Sequence, residues 1–320
     1  VPEHAQRTYR SPVSIAVPAS AWLHDWHFDA LGVAAVLLAA AYLWAARGGP
    51  VPFVRRVAFT VVGCAAAVAI ACGPITEYAP HLFWVRALQI TLLLYVVPLG
   101  LASGMPVTVF GGLLSPARRS AALRALRSPL ARVLGHPAVG SGLLLVTPWV
   151  LLFSGWNLAA MRNPALDLLT RCLLVGAGFV YFYTRVQADP VPRRYPQGLS
   201  LLITLVESLA DGVLGIVVWL GPLLYTAHYA ALGFSEDSMR LSQTVGAGML
   251  WLLADLFGLP FLVILMFALR REDAARQVRV DAAEDARDAA RADDEQAGGG
   301  APSNGLWWES DPELASRYHR

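Results

Sequence analysis

Residues 82–106, LFWVRALQITLLLYVVPLGLASGMP, decide how the rest of the chain is read. The run is apolar for about 20 residues, the length that carries a helix across a hydrocarbon layer of ~30 Å. Yet Arg86 and Gln89 stand near its start. A charge inside a membrane helix costs about 3 kcal/mol unless it is paired or close to water, so Arg86 demands a partner. At the far end Pro98, Gly100, Gly104 and Pro106 loosen the helix and turn the chain.

The composition extends this reading to the whole chain. Its 320 residues are 56% hydrophobic and 15% charged, with a mean hydropathy of +0.49, which points to a polytopic, all-α membrane protein. All 25 basic residues are arginine, and the net charge of +2 gives no basis for a nucleic-acid partner. Cys64, Cys72 and Cys172 fall inside apolar runs without a CxxC, as buried small side chains do.

Seven apolar spans are expected, at about 28–46, 57–75, 82–103, 139–156, 165–186, 199–225 and 243–269. Trp22, Trp26 and Phe28 precede the first, as in an aromatic belt at a lipid surface. Arginines concentrate in alternate connections: Arg47, Arg55 and Arg56, then Arg118, Arg119, Arg124, Arg127 and Arg132, then Arg185, Arg193 and Arg194, and finally Arg270 and Arg271. The arginine-rich side is cytoplasmic by the positive-inside rule, so the N-terminus lies outside and the C-terminus inside. The expected divisions are an extracytoplasmic arm at 1–27, a seven-helix transmembrane domain at 28–271 and a charged cytoplasmic tail at 272–320. Alanine, leucine and arginine recur at helical spacing over about 115–134, which reads as an amphipathic helix on the membrane surface.

Three sets of residues carry potential chemistry. His24, His27, His81 and His228 all come out on the extracytoplasmic side, where imidazoles could converge on copper or zinc or simply sit among interfacial aromatics. Glu207 and Asp211, four apart, and Asp255 lie deep in the last two spans, as acids of an ion path or as counter-charges for arginine. Asp167 and Arg171 are one helical turn apart and can pair on one face. We expect Arg86, Gln89, Asp167 and Arg171 to form one polar cluster. Arginine stays charged and repels cations, so that cluster disfavours a metal. No phosphate loop, nucleophile elbow or other catalytic motif appears, and nothing argues for an enzyme.

These residues also carry a family resemblance, over about residues 26–285. Gln89, Leu92, Leu93, Pro98, Gly104 and Pro106 resemble the third-helix pattern H-M-x-Q-H-x-L-L with a Pro-rich exit, found in the caa3-type CtaG family of cytochrome c oxidase assembly factors. Arg86 and Ile90 stand where that pattern has histidines. The fifth span is similar: Asp167 and Arg171 replace an H-x-x-x-H pair, while the D-P-x-P-x-R exit is kept in Asp189, Pro190, Pro192 and Arg194. In the seventh, Gln243, Gly246, Gly248, Trp251 and Asp255 fit the pattern, with Ser242 in place of an acid. The resemblance implies a multi-pass protein of the bacterial plasma membrane, oxidase subunits as partners and copper as the associated metal. With the histidines replaced, it implies action by protein contact. The other classes to set against it are a small transporter using Glu207, Asp211 and Asp255, and a copper carrier using the four outward histidines.

Overall fold

The computed structural model describes residues 14–49, 51–126, 128–186, 189 and 197–297. Its regular elements are all helical among the described residues. In chain order they are α1 (Ala21–His24), α2 (Ala30–Ala45), α3 (Phe53–Cys72), α4 (Pro74–Tyr78), α5 (Phe83–Ser103), α6 (Pro106–Gly111), α7 (Pro116–Leu126), α8 (Pro129–Leu134), α9 (Pro137–Phe153), α10 (Trp156–Arg162), α11 (Pro164–Val186), α12 (Gln197–Leu220), α13 (Thr226–Ala231) and α14 (Glu236–Ala297). The chain divides into two compact units, Val1–Met266 and Phe267–Arg320.

The opening stretch forms α5, the most buried of the apolar helices. Its neighbours approach it through glycine. At Gly100 a Cβ would lie 2.3 Å from the backbone nitrogen of Gly63 in α3, so those two helices touch backbone to backbone. On another side, a Cβ at Gly178 of α11 would lie 2.1 Å from the carbonyl oxygen of Leu94. Pro98 has no N–H to offer that carbonyl, and α5 widens into a π-turn over Leu92–Val96 just before it. Around this axis Leu93, Leu94 and Ile90 pack with Leu144 of α9, Leu174 of α11, and Leu214 and Val218 of α12 in one apolar core. A smaller cluster stacks Tyr42 on Phe59 at 3.8 Å, and the Tyr42 hydroxyl donates to the Gly104 carbonyl at 2.6 Å.

Among the described residues four helices are long and apolar enough to cross a membrane: Ala30–Gly48, α3, α5 and α11. The fourth expected span, 139–156, is broken. α9 stops at Phe153, α10 starts at Trp156, and the two meet at 70°, making at most one further bent span. Ser154 takes an extended backbone, and its hydroxyl accepts the Trp156 amide at 3.2 Å, starting a new helix in a new direction. The sixth and seventh expected spans fall on α12 and α14, where many of the side chains lie outside the described residues.

The stretch expected to form a surface helix, 115–134, falls on two helices, α7 and α8. In the second unit, α14 runs to Ala297 with exposed side chains wherever they are described between Asp273 and Ala290. The arm before Ser14 and the tail after Ala297 lie outside the described residues.

Candidate functional site

Charge pairing begins at the start of α2. Asp29 is its N-cap, and Oδ1 accepts the amides of Leu31 at 2.8 Å and Gly32 at 3.4 Å. The other oxygen faces Arg171 Nη2 at 2.8 Å. Arg171 Nε lies 2.9 Å from Asp167 Oδ2, one turn earlier on α11. Asp167 Oδ1 then takes Arg86 Nη1 at 2.6 Å. The order Asp29, Arg171, Asp167, Arg86 alternates in sign along three helices and sums to zero.

Neutral groups close the ends. Arg86 donates from Nε to Asn157 Oδ1 at 2.9 Å and from Nη1 to Gln89 Oε1 at 2.8 Å. Gln89 passes a hydrogen bond to Thr76 at 2.9 Å, and Asn157 one to the Tyr225 hydroxyl at 3.2 Å. Tyr225 holds a left-handed backbone, φ 55°, and donates to the Leu152 carbonyl at 2.6 Å, tying the broken α9–α10 joint to the charge chain. Arg86 Nη2 and Arg171 Nη1 are buried and meet no described acceptor. Burial works upward on the Asp29 carboxyl, but the hydrogen bond and charge of Arg171, with the two amides, hold it below the ordinary 3.8.

Sequence reasoning named Arg86, Gln89, Asp167 and Arg171, and the fold brings these four together. It missed Asp29, which falls at the start of the first expected span, and Asn157, a neutral residue with no charge to mark it. It also misread Arg185. That side chain was counted with the arginines of a connection, but it is 1% exposed inside α11. Arg185 Nη2 lies 2.9 Å from Glu207 Oε1 and donates to Ser141 Oγ at 2.6 Å, and its guanidinium lies over the Tyr181 ring at 4.8 Å. The Tyr181 hydroxyl donates to the other Glu207 oxygen. Asp211 accepts from the Tyr95 hydroxyl at 2.7 Å. The Asp255 side chain lies outside the described residues.

The four histidines expected to face outward are not gathered. His24 ends α1 and is exposed. His27 and His81 line one open cavity beside Asp25 and Glu77. His228 Nε2 donates to the Pro80 carbonyl at 2.9 Å. Among the described residues no three of His, Cys, Asp and Glu are disposed to hold a metal ion. At the Arg86 cluster the donor set does not fit a cation either, because both carboxylates are engaged by guanidinium groups.

Two motif residues turn out to be braces. Both Asp189 oxygens accept at the start of α6: Oδ2 from the Val107 amide at 2.7 Å, and Oδ1 from the Thr108 amide at 2.9 Å and the Thr108 hydroxyl. The proline-rich exit of α5 and the acid after α11 therefore meet. Gln243 accepts the Leu224 amide at 2.8 Å and donates to the Val218 and Pro222 carbonyls at 2.8 and 3.0 Å, satisfying groups left open where α12 ends. Ser242 Oγ accepts the Trp84 amide at 3.3 Å.

Apolar helices of membrane-crossing length, packed around buried ion pairs, define an integral membrane protein. Residues 35–272 match the family described as cytochrome c oxidase caa3 assembly factor (Caa3_CtaG), and the chain belongs to that family. It is also similar to uncharacterised mycobacterial proteins. Those of Mycobacterium bovis and Mycobacterium tuberculosis are 27% identical over 272 residues, and that of Mycobacterium leprae 24% over 281. In each case the match covers 80% of this chain and 41% of the relative, so the chain spans about two fifths of the length of these relatives. No solved structure matches.

Proposed function

We propose that the chain is a non-catalytic membrane factor that supports assembly of cytochrome c oxidase by contact with an oxidase subunit, without holding copper at the Arg86 cluster. Family membership supports the assembly role. The observation that carries the contact mechanism is the alternating chain Asp29, Arg171, Asp167, Arg86, which satisfies its own charges. A cation entering there would meet two permanent positive charges and two occupied carboxylates. The deep acids support the same reading over an ion path: Glu207 is engaged by Arg185 and Tyr181, and Asp211 by Tyr95. By the positive-inside rule the Asp29 end of the bundle faces the outside of the bacterial plasma membrane.

Deletion of the gene tests this, with assembled oxidase quantified in membranes by its haem spectrum and by native gel. The expected result is a loss of assembled oxidase that is restored by the wild-type chain and not by added copper. Purification of the tagged chain in mild detergent is expected to bring oxidase subunits with it. Full recovery on copper supplementation alone would overturn the contact mechanism.

A further inference from the structure

The charges of the Arg86 cluster balance, but its hydrogen bonds do not. Each carboxylate and amide oxygen in it is engaged: both Asp167 oxygens by arginine, Asn157 Oδ1 and Gln89 Oε1 by Arg86, and Asp29 by Arg171 and two backbone amides. What is left over is donors. Arg86 Nη2 and Arg171 Nη1 meet no acceptor among the described residues, and the two residues are only 2% and 4% exposed. A buried guanidinium nitrogen in that state is costly and calls for a partner. A third donor stands beside them. The buried Tyr229 hydroxyl, in α13, meets the Met161 sulfur at 4.0 Å, a weak acceptor at the limit of contact. Met161 is one turn along α10 from Asn157, which holds Arg86, and Tyr229 is four residues beyond Tyr225, which holds Asn157. The two contacts therefore run side by side, and the Arg86 charge acts on both tyrosine hydroxyls.

We infer that a small monovalent anion of the halide class binds here, accepting from Arg86 Nη2 and the Tyr229 hydroxyl. A halide only accepts, which is what a site with only donors to spare can use. A water molecule fits less well, because it must also donate its own two hydrogens and the neighbouring oxygens are taken. The field favours the anion too. Arg86 lies in the first turn of α5, the positive end of that helix. Asp29 and Asp167 stand at the N-terminal ends of α2 and α11, whose dipoles draw on the same two carboxylates as the arginines do. A formal sum of zero thus leaves a positive field at Arg86. The side chains of Asp167 and Asp29 are partly exposed, so an ion has a way in past them.

The site is independent of the oxidase reading, and so is its test. The full chain in mild detergent is unfolded thermally in sodium gluconate, with chloride or bromide replacing gluconate at constant ionic strength. The midpoint is expected to rise with halide by about 2 °C or more and then to saturate. Tyr229→Phe keeps the ring and removes the hydroxyl, and is expected to raise the half-saturating halide concentration at least about fivefold. Arg86→Gln is expected to abolish the halide dependence, and Tyr229→Phe carries the test alone if that variant does not fold. A midpoint that ignores halide, a rise that never saturates, or a half-saturating concentration unchanged in Tyr229→Phe would overturn the assignment.

Discussion

Among the described residues the bundle holds two buried ionic regions, and they are built differently. The Arg86 region is a chain of four charges in which Asp167 serves two arginines at once. In the Arg185 region the described residues make one ion pair, Arg185 with Glu207, to which Tyr181 and Ser141 add neutral groups. A closed pair can be replaced by two neutral side chains with nothing left over. A chain cannot lose its middle member without stranding a cation on each side. Removing one partner of a buried pair costs about 3–5 kcal/mol, mostly because the other charge stays behind unpaired.

The largest expected effect follows at the shared acid. Asp167→Ala removes both acceptors between Arg86 and Arg171, and should destabilise the chain by about 5 kcal/mol or prevent its accumulation in membranes. Thermal unfolding in mild detergent, or the membrane yield, reads this. A loss under about 1 kcal/mol would mean that the chain of charges does not act as a unit.

Arg185→Met comes next, at about 3 kcal/mol, because Glu207 loses its cation and keeps the Tyr181 hydroxyl. Adding Glu207→Gln should restore most of that loss, since neither charge of the described ion pair then remains. The matching double change at the middle of the chain, Arg171→Met with Asp167→Asn, should stay destabilised, because Asp29 and Arg86 are each left without an ion-pair partner. Equal recovery in both regions would erase the distinction between a closed pair and a chain.

The smallest effect is at Asp29. Its carboxyl lies below the ordinary 3.8, so the stabilisation it gives is fully present above that value and is lost as pH falls through the lowered one. Asp29→Asn should therefore be less stable than the wild type by about 1–2 kcal/mol at neutral pH, with the gap closing below about pH 4. Unfolding of both proteins across that range checks the sign. A gap that widens on acidification would contradict it.

How much of this was legible depended on contrast within the sequence. Arg86, Asp167 and Arg171 stand out because each interrupts an apolar run, and the four-residue spacing of the last two announces a shared face. Arg185 does not stand out. It sits at the end of a span beside other arginines, where a topological signal and a buried counter-ion look the same. Asp29 was hidden for the opposite reason, lying at the start of a span among interfacial residues. The α9–α10 break was written only in Ser154 and Gly155, two small residues in an otherwise continuous apolar stretch. Asp189 and Gln243 were visible as motif positions, but their work is to cap backbone groups from distant segments, and such partners appear only in the folded chain.

The account rests on the Arg86 region being satisfied by its own charges, and metal content tests it most directly. The purified chain is incubated with Cu(I) and with Cu(II), desalted, and assayed for bound copper beside the Asp167→Asn variant. The account predicts no stoichiometric copper that depends on Asp167. One tightly held equivalent in the wild type, lost in Asp167→Asn, would contradict it.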